Sequence, residues 1–105
     1  MIERAQKALD ILLEGNERFT KGESTVSNRC VETLKAHKDG QSPIACIVTC
    51  SDSRVIPEMI FDKGFGELFV VRCAGAVIGE NILESVEYAV DHLKVPLVMV
   101  LSHDD

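Results

Sequence analysis

An α/β fold, a parallel β-sheet core with flanking helices, is predicted by three observations. The runs 44–49, 68–71 and 97–101 are apolar and rich in β-branched residues without polar alternation, as strands covered on both faces are. The segments around them carry apolar residues at helical spacing. Proline or glycine stands at the joints, at Pro43, Pro57, Gly64, Gly66 and Pro96. A chain of 105 residues is one domain with room for one modest core, and no repeat or low-complexity segment interrupts it.

The first element is an amphipathic helix. Ile2, Ala5, Leu9, Leu12, Leu13 and Asn16 recur at helical spacing, with Glu3, Arg4, Lys7, Asp10 and Glu14 opposite, so the helix runs to Gly15 or Phe19. Residues 20–40 are polar and poorly periodic; they read as a connecting arm with one short helix near 31–37. Pro43 marks the start of the strand 44–49. Pro57 suits the first turn of a short helix carrying Met59, Ile60 and Phe61, which Gly64 and Gly66 end before the strand 68–71. Asn81 and Glu84 form a capping-box pattern for a helix whose expected buried stripe is Ile82, Val86, Ala89, Val90 and Leu93. Pro96 opens the last strand, 97–101. This alternation is that of right-handed crossover units. A three-stranded sheet leaves an edge to be covered, by a partner subunit or by chain beyond Asp105.

Composition narrows the function. With 11 Lys and Arg against 17 Asp and Glu the net charge is −6, and the few aromatics are not interleaved with basic residues, so no nucleic acid partner is expected. The amino-terminal residues lack the apolar stretch of a signal peptide, and no run approaches the roughly 20 apolar residues that cross a bilayer. A cytoplasmic protein with no membrane partner is the expectation, and there Cys30, Cys46, Cys50 and Cys73 stay free thiols.

Cys50 and His103 end two of the apolar runs, and ligands of open parallel sheets bind outside the carboxyl ends of the strands. Thiolate, imidazole and carboxylate are the side chains that hold zinc, and three of them plus an exchangeable position acidify water to a pKa of about 7. Cys46 lies on the same strand face as Cys50 but about 13 Å back, too far to join a site at the strand end. Asp52, two residues past Cys50, either coordinates a metal or accepts a hydrogen bond from the water there; Arg54 can clasp Asp52 and hold it off. Cys73, near another strand end, and the carboxylates of Asp104 and Asp105 are further donors to the same place.

These motifs resemble the β-class carbonic anhydrases. Cys50-Ser51-Asp52-Ser53-Arg54-Val55 matches the family signature, and Phe69-Val70-Val71-Arg72 matches the strand that follows it there. The similarity extends to Leu13-Glu14-Gly15-Asn16-Glu17-Arg18-Phe19, Glu87-Tyr88-Ala89-Val90 and Val100-Leu101-Ser102-His103, while Cys73, Ala76 and Ser102 stand where the family commonly has other residues. The resemblance implies zinc-dependent reversible hydration of CO2 to bicarbonate, with Zn2+ held by Cys50, His103 and a cysteine three residues past the histidine. The chain is then a single partial domain, with residues 1–40 as helix and arm and further sequence after Asp105. The resemblance also implies that Asp52 and Arg54 form a catalytic dyad that can release Asp52 onto the metal as a ligand. Gln41, Phe69 and Tyr88 are implied to line a substrate pocket at the interface of a homodimer or larger assembly. Two other readings stand beside this one: a catalytically silent relative kept for metal binding or oligomerisation, and a zinc hydrolase of another small heterocumulene such as COS or CS2.

Overall fold

The computed structural model describes residues 2–104; Met1 and Asp105, with the carboxylate considered above, lie outside the described residues. Four helices and three strands follow one another as α1 (Ile2–Thr20), α2 (Val31–Ala36), β1 (Ala45–Cys50), α3 (Pro57–Ile60), β2 (Leu68–Cys73), α4 (Glu80–Asp91) and β3 (Val98–Leu101), with a single 3-10 turn at Ala74–Ala76. The sheet order is β2-β1-β3, and both pairings are parallel. From β1 the chain crosses to one side of the sheet through α3; from β2 it crosses back over β1 through α4. Direction and covering face change together, as crossovers of constant hand require.

β1 is the central strand, and its first five residues are buried. Its alternation divides the core in two. Ala45 and Ile47 join Leu12, Phe61 and Leu68 on the α1 and α3 side. Cys46 and Val48 join Val71, Ala89 and Val95 on the α4 side. Fully burying side chains such as Leu12, Ile47 and Val48 stabilises the fold by about 1.5–3 kcal/mol each.

Helix α1 docks through the motif 13–19. A Cβ at position 15 would fall on the carbonyl oxygen of Phe61, so only glycine permits this approach. Asn16 donates to the Ile60 carbonyl at 3.0 Å, and Arg18 Nε donates to Asp62 Oδ2 at 2.7 Å. Asp62, whose side chain is wholly buried, also accepts from the Thr25 amide at 3.1 Å and hydroxyl at 3.0 Å. The arm is therefore pinned to the end of α3, where the periodicity of 20–40 suggested only a connection.

Several expectations change. Asn81 does not cap α4; Gly79 does, with no side-chain cap bond, because the helix starts two residues earlier than an Asn81 cap requires, at Glu80. Ile2, Leu13 and Val90, placed in buried stripes, are exposed, because only part of each helix meets the sheet. The strands run Ala45–Cys50, Leu68–Cys73 and Val98–Leu101, so β2 carries Arg72 and Cys73 as well as the expected 68–71.

Candidate metal centre

β1 delivers Cys50 as its last residue, and the loop after it is built around Asp52. The Asp52 carboxylate accepts from the Arg54 backbone N–H at 2.8 Å, a local turn that Asp side chains favour. The Arg54 guanidinium grips the same carboxylate as a fork, Nε to Oδ1 at 3.0 Å and one terminal nitrogen to Oδ2 at 2.8 Å. These bonds from Arg54 hold the Asp52 carboxyl well below the usual carboxylate range.

The Cys50 sulfur collects donors. The Asp52 amide lies 3.4 Å from Sγ and the Gly75 amide 3.3 Å. Gly75 adopts φ +73°, a left-handed conformation that glycine takes without strain, and this turns its N–H toward the thiol. A hydrogen bond with the His103 side chain, then those two amides, lower the Cys50 thiol to about 7. A substantial thiolate fraction therefore exists at neutral pH.

His103 stands two residues past β3, its Nε2 4.0 Å from Asp52 Oδ2. Cys50, Asp52, Arg54 and His103 thus meet at the carboxyl ends of two adjacent strands. The donor set suits zinc in part: a thiolate and an imidazole are two of its ordinary ligands. Among the described residues no group of three His, Cys, Asp or Glu side chains is arranged as a metal site. The physical reason lies in Asp52, whose oxygens face Arg54. The Cys73 thiol is engaged within its own turn, donating from Sγ to the Val77 carbonyl at 2.9 Å.

Phe69 and Tyr88 come together as a tilted pair with centroids 5.8 Å apart, and Tyr88 stacks on His92 at 5.2 Å. Phe69 is in register with Cys46, four residues before Cys50, so this pair lies about 13 Å down the sheet from the strand ends. Gln41 is exposed in the loop before β1, at the opposite end of the sheet from Cys50. A cavity of about 420 Å³ beside α3, lined by Arg29, Met59, Phe65 and Leu68 among others, is mostly apolar and contains none of these groups.

Two positioning residues had no role assigned from sequence. Arg72 donates from Nε to the Cys50 carbonyl at 3.0 Å and from a terminal nitrogen to the Asp52 carbonyl at 2.7 Å, so β2 clamps the loop backbone. Thr49 is fully buried, and its hydroxyl donates to the Leu101 carbonyl at 2.8 Å, tying β1 to the strand that leads to His103. The available signal was a polar residue closing an otherwise apolar strand.

Comparison with known proteins agrees with this geometry. The profile of the family described as carbonic anhydrase matches residues 45–105, which include the whole sheet and the strand-end cluster. Carbonic anhydrase 2 of Mycobacterium tuberculosis is 50% identical over 93 residues, 89% of this chain and 45% of that protein. The carbonic anhydrase of Mycolicibacterium smegmatis is 46% identical over the same shares of each. The chain therefore spans under half the length of these relatives. Among solved structures, the β-carbonic anhydrase CcaA superposes with TM-score 0.66 at 29% identity, covering 91% of this chain and 48% of that one. The Coccomyxa β-carbonic anhydrase in complex with acetazolamide gives 0.63 at 30% identity, covering 88% and 41%. Sequence motif, sheet and strand-end cluster thus lead to one assignment, and this chain belongs to the β-class carbonic anhydrase family.

Proposed function

We propose that the protein to which this chain belongs catalyses zinc-dependent reversible hydration of CO2 to bicarbonate. The observation that carries this reading is the convergence of Cys50 and His103 from adjacent strand ends around an Asp52 held by Arg54. Cys50 and His103 hold the metal. Zinc bound there supplies a Lewis acid that makes a nucleophile of water near neutral pH. Asp52 offers a carboxylate oxygen to orient the reacting water, and Arg54 keeps that carboxylate ionised and turned aside. Phe69 and Tyr88, about 13 Å from the strand ends of their own chain, provide an apolar wall for CO2 at the site of a neighbouring copy. Gln41, at the far end of the sheet from its own Cys50, serves the site of a neighbouring copy, so a homodimer or larger assembly is part of the proposal. One structural neighbour is described as tetrameric. We place the protein in the cytoplasm, where its four free thiols persist.

The test is stopped-flow CO2 hydration with zinc content measured on the same sample. The expected result is a zinc-dependent rate that acetazolamide suppresses and that Cys50→Ser or His103→Ala removes together with the metal. A zinc-loaded protein no faster than buffer overturns the proposal.

A further inference from the structure

Cys73 has no part in the proposed reaction, yet it is the residue paired with Cys50. The two are Cα partners on adjacent parallel strands, and each ends its strand. Register partners point to the same face, and neighbouring strands stand about 4.8 Å apart. That separation lies within the roughly 4.4–6.8 Å between Cα atoms that a disulfide bridges. Both side chains are half-buried, and the turn after β2 touches both: the Gly75 N–H donates to Cys50 Sγ at 3.3 Å and Cys73 Sγ donates to the Val77 carbonyl at 2.9 Å.

A disulfide needs Cβ atoms about 3.8 Å apart, so the two residues must draw together by about 1 Å. Strand ends allow this. Among the described residues one backbone bond past the pair, from the Ser51 amide to the Cys73 carbonyl at 3.1 Å, continues the ladder, and the Arg72 side chain beside Cys73 already draws the Cys50 carbonyl toward β2 at 3.0 Å. Cys46 offers no alternative, being fully buried and about 13 Å back along β1.

We propose that Cys50 and Cys73 are an oxidation site, closing a reversible intramolecular disulfide across the ends of β1 and β2. The oxidant is a low-molecular-weight disulfide such as oxidised glutathione. The Cys50 thiolate attacks one of its sulfurs, forming a mixed disulfide and expelling one glutathione thiolate. Cys73, its proton passed to buffer, attacks the Cys50 sulfur, and the second glutathione thiolate leaves. Two cysteine thiols lose two electrons in total, and one glutathione disulfide becomes two thiols. The bond depends on strand register alone; its effect on metal binding rests on the proposed function, because the bridged sulfur is no longer a thiolate ligand.

Zinc-loaded protein is incubated with oxidised glutathione, alkylated, digested and mapped by mass spectrometry, with zinc measured in parallel. The expected product lacks two hydrogens, fragments to a Cys50–Cys73 link and reverts with dithiothreitol. Cys30→Ser still forms the link, and Cys73→Ser does not. A Cys50 that stays reduced, stops at the glutathione adduct, or joins Cys30 or Cys46 overturns the proposal. A link accompanied by at least tenfold zinc loss supports both the disulfide and the metal assignment. A link at unchanged zinc content supports the disulfide and overturns Cys50 as a ligand.

Discussion

Arg54 is 67% exposed on its side chain, so its ion pair with Asp52 adds little to folding stability. What it supplies is direction. Two guanidinium donors fix both Asp52 oxygens, with His103 Nε2 4.0 Å from one of them. Arg54→Ala frees the carboxylate to turn toward the metal position. The expected outcome is zinc retention at least equal to the parent in competition with a chromophoric chelator, with CO2 hydration reduced about 10- to 100-fold, the usual consequence of misplacing an orienting group by an ångström. Arg54→Lys is expected to fall close to Arg54→Ala, since an ammonium cannot form the fork. A fall in zinc retention equal to the fall in rate would show that Arg54 supports the fold of the loop instead. This cluster was readable in the sequence because its members are close in the chain or close to strand ends. Gln41 and Tyr88 were matched by motif alone, and the single chain leaves Gln41 at the far end of the sheet; which site it faces depends on how copies assemble, which no local pattern encodes.

Between elements, two buried polar contacts tie the fold together, one of them beside the site, and neither was visible as periodicity. Thr49 bonds β1 to β3 through one buried hydroxyl, and Thr49→Val keeps the shape while removing the donor to the Leu101 carbonyl. A loss of about 1 kcal/mol in urea denaturation is expected. Asp62 joins α1, the arm and α3 through Arg18 and Thr25. Arg18, then the Thr25 bonds, hold the Asp62 carboxyl well below the usual range against the opposing effect of burial. A carboxyl depressed in the folded state contributes stability that is complete above its unfolded value, near 4, and is lost as pH falls from there toward the folded value. Acid unfolding of the parent should therefore begin below about pH 4. Asp62→Asn is expected to lower stability at pH 7 by about 2 kcal/mol and to flatten the acid limb, measured by urea midpoints across pH. An unchanged acid limb would assign that limb to other carboxylates. The strands and the amphipathic helices were legible because alternation and helical spacing record burial directly. The role of Asp62 was not, since its partners lie 37 and 44 residues away and a charged residue two before a glycine reads as an ordinary turn.

At the scale of the molecule, the order β2-β1-β3 puts β1 between two edges. The register sets Val98 beside Cys46 and Val100 beside Val48, on the sheet face that α4 covers over β2. There the cover ends, and Val100 is 61% exposed on an edge strand. Val90 on α4 is exposed as well, which is why the helical stripe overestimated its burial: the pattern marks a residue as apolar without saying whether its own chain or another copy covers it. An apolar edge with unpaired backbone groups is a template for further pairing. The 105-residue chain is therefore expected to self-associate at micromolar concentration in light scattering coupled to gel filtration. Val100→Lys places a charge on the open face and is expected to shift the population toward monomer while leaving the circular dichroism spectrum unchanged. If the Lys variant associates as strongly as the parent, β3 is not the contact. The exposed apolar residues of α1, Ile2 and Leu13, then become the next surface to charge.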